Sequence, residues 1–165
     1  MLKGDFKMKN NKGFSLVELI IVIAIMAILV GVMAPQLIKY IEKTNVSSDT
    51  QLCDTVKNAI TTAMMDPSVV TNPSAGLPSE GVPLEVNAIA TSTDDTTFAG
   101  AVNGILGFAP SDINNHLKSE AKKKGGHVKY QIVGSNSVHV WVTNSDNTGK
   151  KGSYNPGSPK CIYVD

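Results

Sequence analysis

The sequence predicts an α+β fold: one long N-terminal helix, its apolar first half protruding, packed through its second half against a small antiparallel sheet of about three strands. Three observations predict it. An apolar stretch runs from Phe14 to Ala34 and continues past Pro35 into a pattern with apolar or small residues every three or four positions. Two segments near the C-terminus, 127–133 and 137–143, alternate apolar and polar residues as half-buried strands do. Between these regions lie proline- and glycine-rich segments that punctuate the chain.

The helix comes first. Between Leu19 and Ala34 there is no charge, whereas the residues before Gly13 carry Lys3, Lys7, Lys9 and Lys12 against Asp5 alone. A basic flank followed by an apolar helix predicts membrane insertion with the chain start on the cytoplasmic side. Phe14 to Gln36 spans ~33 Å, enough for a ~30 Å hydrocarbon core. Beyond Pro35, Ile38, Ile41, Asn45, Ser48, Leu52, Val56, Ala59 or Ile60, and Ala63 form one face, with Lys39, Glu42, Lys43, Asp49, Asp54 and Lys57 between them. Asp66-Pro67 ends the helix, because the residue before a proline is pushed out of the α region. A helix from Phe14 to about Met65 is ~75 Å long, beyond what one small domain can cover. Its first half has to be buried elsewhere, in lipid and then against other subunits.

Glu18 is the exception in the apolar stretch. An ionised carboxylate in lipid costs several kcal/mol unless it is paired, so it calls for a function. The run Gly13-Phe14-Ser15-Leu16-Val17-Glu18-Leu19, behind a short basic leader and before a long apolar segment, resembles the processing site of type IV prepilins and of the related pseudopilins of type II secretion. The resemblance covers roughly the first third of the chain. It implies that residues 1–13 are a leader, removed by a membrane prepilin peptidase that cuts between Gly13 and Phe14 and methylates the new amino terminus. It implies further that residues 14–40 are first a transmembrane segment and then a filament core, that residues 41–165 are an exported headgroup, and that Glu18 directs assembly. Other partners it implies are further copies of the chain, an assembly ATPase and platform protein, minor pilins and membrane lipid. The expected path runs from a single pass of the cell membrane to a surface pilus serving adhesion, twitching motility or biofilm formation.

Two other readings of the apolar segment were weighed. A secretory signal peptide needs a small-x-small cleavage site, and the best candidate, Val32-x-Ala34, is followed by Pro35. A plain, non-polymerising membrane anchor for a binding domain leaves Glu18 without a role. A pseudopilin or a competence pilin remains the alternative within the family.

Pro35 lacks an N–H, so the Gly31 carbonyl four residues back goes unbonded. A tolerated kink is one account of it. A built-in weak spot is the other, similar to the segment before the matching proline that unwinds when pilins assemble, although Ala27 stands where many relatives have a further glycine.

The headgroup is read more coarsely. Residues 68–92, with Pro73, Pro78 and Pro83, read as surface loop, and 96–106 is left unassigned. Ser111 or Asp112 is expected to cap a helix through about Lys124, with Ile113, Leu117 and Ala121 on one face and Gly125-Gly126 after it. Lys122, Lys123 and Lys124 then oppose the dipole of its last turn, a better account of them than a patch for DNA or surface polymer. Strands at 127–133 and 137–143, joined across 134–136, and a third at 160–164 complete the expected sheet.

Chemistry is notably missing from the pattern. His116, His127 and His139 are scattered, and no metalloprotease, nucleophile-elbow or phosphate-loop spacing occurs. Asp146-Asn147 lacks the further carboxylates a calcium site needs. No enzyme activity, cofactor or metal is expected. Without residues 1–13 the chain has 11 Lys, no Arg and 13 acidic residues, a net charge of −2. That balance argues against general nucleic-acid affinity. Cys53 and Cys161 lie at opposite ends of the exported part. Outside the cytoplasm they are a candidate disulfide worth ~4–5 kcal/mol in the chain-entropy account; two buried thiols are the alternative.

Overall fold

A computed structural model describes residues 13–123, 125–134, 137–143 and 162–164. Helix α1, Leu16–Met65, is continuous through Pro35 over its 50 residues. It stops where expected: Asp66 is extended, with φ −68° and ψ 119°, and Pro67 opens a one-turn helix, α2, Pro67–Val70. The Asp66 carboxylate caps that turn by accepting the Ser68 hydroxyl at 2.6 Å and the Ser68 amide at 2.9 Å. These bonds hold its carboxyl below the usual range. The cap is thus in place above the ordinary carboxylate pKa and is lost as pH falls through the lowered one.

The chain divides into two units, Met1–Ile38 and Lys39–Asp165. In the first, every described side chain is exposed, including Ile20, Ile23, Leu29 and Val30. In the second, Cys53, Val56, Ala59, Ile60 and Ala63 of α1 are buried in one core with the inner face of the sheet.

The sheet is antiparallel throughout, in the order β1-β2-β3-β4. β1 is Leu84–Glu85, β2 Val128–Val133, β3 Ser137–Val142 and β4 Ile162–Val164. The expected hairpin pairs Val128 with Val142 and Val133 with Ser137. Its register turns Val128, Tyr130, Ile132, Val138, Val140 and Val142 inward onto α1. The third expected strand pairs with β3, Val140 facing Val164. Residues 160 and 161 of that expectation lie outside the described residues.

Two expectations are corrected, and the unassigned stretch acquires an element. Residues 68–92 are not simply loop: they contain α2, β1 and a 3-10 turn, Val86–Ala88, and they bury Val69, Ala75, Val86 and Ile89. Pro83 precedes β1 at the sheet edge, where a missing N–H costs no ladder bond.

The unassigned stretch holds a helix, α3, Phe98–Leu106, capped by the Thr97 hydroxyl accepting the Gly100 amide at 3.1 Å. It ends at Gly107 in the left-handed conformation, φ 71°, which favours glycine.

The helix expected over 111–124 is broken. A 3-10 helix, Pro110–His116, is followed by extended Leu117 and a one-turn helix, α4, Glu120–Lys123. The break occurs where the backbone amides turn to carboxylates on α1 instead of to their own chain.

Candidate functional site

The residues expected to be processed lie just before α1. Gly13, Phe14 and Ser15 are non-helical and exposed. A Cβ added at Gly13 would meet nothing within 4 Å. Among the described residues no contact demands glycine there.

Glu18 lies in the first turn of the helix and its Oε2 accepts the Ser15 amide at 2.9 Å. This is one half of a capping box, Ser-x-x-Glu, in which the residue three positions on satisfies a helix-start amide. The negative carboxylate also sits favourably at the positive end of the helix dipole. Its sequence signature is Ser15-Leu16-Val17-Glu18. It changes the accounting for Glu18: even a plain anchor gains something from this carboxylate. The hydrogen bond engages one oxygen, and an ionised carboxylate accepts at both, so a second partner can be held simultaneously.

Gly31, like Gly13, has open space where a Cβ would stand. The described helix passes through Pro35 without interruption. From Gly13 to Ile41 no residue is buried. The helix is long and apolar enough to cross a membrane, and an uncovered apolar surface of this extent marks an interaction with lipid or protein.

Farther along α1, two carboxylates fasten the middle of the chain. Asp49 is completely buried; the sequence pattern had placed it among the polar residues outside the helix's small and apolar face. Its Oδ1 accepts the Lys118 amide at 2.7 Å and its Oδ2 the Ser119 amide at 2.9 Å. Glu42 Oε1 accepts the Glu120 amide at 2.8 Å. A buried charge is tolerable where it receives such bonds, and these pin three successive amides of the broken segment to the long helix.

One turn from Asp49, Cys53 is buried. Burial, reinforced by the negative charges of Asp49 and Asp54, pushes its thiol up to about 12. Cys161 lies outside the described residues, as do Asp146 and Asn147. His127 meets Asn114, with Nδ1 3.0 Å from the amide nitrogen and 3.8 Å from Glu85 Oε2; His116 stacks on Phe108 with ring centroids 4.4 Å apart. The three histidines are not brought together as a metal site: among the described residues no group of three or more His, Cys, Asp or Glu is placed to hold a metal.

The comparisons with known proteins bear on both ends of this arrangement. Residues 8–34 match the family described as the prokaryotic N-terminal methylation motif. The chain is also 34% identical to a fimbrial protein of Neisseria meningitidis serogroup A, over 73% of this chain and 71% of that protein. It belongs to the type IV pilin family. That relationship extends beyond the helix start into the headgroup, because a match over 73% of the chain is far longer than the 27-residue motif. No solved structure matches the pilin. Within the pilin, the motif, the capped Glu18 and the uncovered apolar surface all fall on the first half of α1. Asp49, Glu42 and Cys53 fall on the half that carries the headgroup.

Proposed function

We propose that this pilin is the repeating structural subunit of a surface filament. A membrane prepilin peptidase removes residues 1–13 and methylates Phe14. Residues 14–40 hold the subunit in the membrane, and an assembly ATPase with its platform protein then drives the apolar segments of many copies together, with minor pilins joining the same filament. The observation that supports this most directly is that nothing from Gly13 to Ile41 is buried within the chain. So large an apolar surface needs covering, and lipid followed by like subunits covers it in the two stages the family uses.

In the filament, Glu18 pairs with the amino terminus of Phe14 on a neighbouring subunit, the one cation that processing creates nearby. Four residues separate the two groups along the helix, so the contact favours a fixed axial stagger between chains. Gly31 and Pro35 are the site at which the helix loosens on assembly. The Gly31 carbonyl lacks its partner, and among the described residues nothing lies within 4 Å of where a Gly31 Cβ would stand.

The experiment that tests the reading is N-terminal sequencing of filaments sheared from the cell surface. The sequence is expected to begin at Phe14. Any other start removes the assignment of the cleavage site. Gly13→Val is expected to leave uncut precursor in the membrane without altering the fold, since a Cβ there meets no described atom within 4 Å.

A Cys53–Cys161 bridge would tie the last strand to α1. With Cys53 pushed up to about 12, its thiolate is scarce once the headgroup has closed over it, so the bridge would have to form before the core does. Non-reducing mass spectrometry is expected to find the linked peptides. After reduction and refolding, Cys53 is expected to resist alkylation near neutral pH until the protein is denatured. Rapid alkylation of Cys53 in the native, reduced protein would show that the thiol is not sealed in the core.

A further inference from the structure

The lysines at 118–123 have no part in cleavage or in the Glu18 contact, yet tertiary structure gathers them at one place. Lys39 and Lys43 lie one turn apart on α1, immediately beyond the apolar run, and both are exposed. Between them, Glu42 binds the amide of Glu120, 78 residues away in the chain, and so seats the start of α4 on that turn. Asp49 holds the preceding two residues. Lys118, Lys122 and Lys123, all exposed, thus belong to a segment whose backbone is fastened to the stretch of α1 that follows Lys39.

These charges are offset only in part. Glu42, Asp49 and Glu120 lie among the five lysines and leave them in excess, Glu42 and Asp49 are bonded to backbone amides, and Lys122 donates to the Asn115 carbonyl at 2.6 Å.

A second observation indicates what they face. Tyr40 is 68% exposed, and the Lys43 ammonium lies 5.9 Å from its ring centroid. An exposed tyrosine flanked by lysines at the end of an apolar helix has the composition of the lipid–water boundary, with the ring among headgroups and the ammoniums at phosphate level. Glu42 lies two residues beyond Tyr40, ~3 Å along the helix axis. The Glu120 amide that it holds is therefore close to that boundary on the scale of the ~8 Å Debye length, with the amides held by Asp49 ~13 Å beyond Tyr40.

We propose that this lysine face binds anionic phospholipid headgroups of the outer leaflet while the subunit is still in the membrane. The proposal rests on the reading of residues 14–40 as the spanning segment.

The test is lysine acetylation footprinting of the whole mature chain reconstituted into vesicles of phosphatidylcholine alone and of phosphatidylcholine with phosphatidylglycerol. In the anionic vesicles Lys118, Lys122 and Lys123 are expected to react about fivefold more slowly, the effect of one surface lysine's attraction to anionic lipid. High salt should restore the rate. Lys57, ~20 Å farther along α1 than Lys43, serves as the reference and is expected to react equally in both. Equal reactivity of the headgroup lysines in the two compositions, with the chain floating with both, overturns the lipid contact and leaves the membrane segment intact. Protection confined to Lys39 and Lys43 overturns it as well, since the clamped segment then takes no part. A chain that floats with neither vesicle overturns the spanning reading itself.

Discussion

Glu18→Gln is expected to abolish or sharply reduce surface filaments while leaving the subunit in the membrane. Glutamine keeps a side-chain oxygen at the same place, so it can still accept the Ser15 amide now bound at 2.9 Å; what it lacks is charge. Losing a helix-start cap typically costs ~1 kcal/mol. Leaving the amino terminus of Phe14 unpaired in a filament core costs ~3–5 kcal/mol per subunit. Glu18→Ala removes both contributions. Equal failure of the two variants therefore assigns assembly to the charge. Failure of the alanine variant alone would assign it to the cap and return Glu18 to the role of an ordinary helix start. Removing a charge from an apolar segment also eases insertion, so membrane-bound subunit is expected to stay level or rise. The measurement is pilus yield by electron microscopy, beside immunoblots of the membrane fraction, in a strain with no wild-type copy to co-assemble.

Asp49→Ala is expected to destabilise the headgroup by ~3–5 kcal/mol, since each buried amide left without an acceptor costs ~1–3 kcal/mol. Two amides lose their partner at once, those of Lys118 and Ser119. Against the ~5–15 kcal/mol that stabilises a typical domain, this is a large share. The expected fall in melting temperature is about 10–15 °C. Asp49→Asn keeps one acceptor oxygen and is expected to fall between the alanine variant and the native chain. Circular-dichroism melting of the detergent-solubilised protein checks the size of the effect. Hydrogen exchange at Lys118 and Ser119 checks its place, because those amides should lose protection before the β2–β3 hairpin does. An unchanged melting temperature would mean that Asp49 does not hold the segment.

What the sequence determined by itself was set by local chemistry. The 3.6-residue pattern after Pro35, the basic flank before Gly13 and the Asp66-Pro67 stop each act within a few residues, and together they specify α1 to within two residues at its start and none at its end. Period-2 alternation and Gly134 specify the β2–β3 hairpin with its inward face. The run from Gly13 to Leu19 was equally legible because it is a contiguous motif, matched within residues 8–34 without reference to any distant contact. Two further local signals, Thr97 with Gly107 around α3 and Ser15 with Glu18 at the start of α1, were in the sequence and unread.

Tertiary structure alone decided the rest. Asp49 has the composition of an exposed helix residue, and its burial follows from amides 69 and 70 positions away. By the same contacts, a segment patterned as one helix from Ser111 onward breaks at Leu117: a buried carboxylate offers its amides charged acceptors, which hold them more strongly than the neutral carbonyls of a helix. Residues 68–92 read as loop because their prolines and glycines forbid long elements. They are nevertheless partly core, because Val69, Ala75, Val86 and Ile89 find apolar partners across the fold that no local pattern can announce. Periodicity reports which face of an element is apolar. Which distant group meets that face, and which polar group is drawn in with it, depends on contacts between segments far apart in the chain, and those exist only once it has folded.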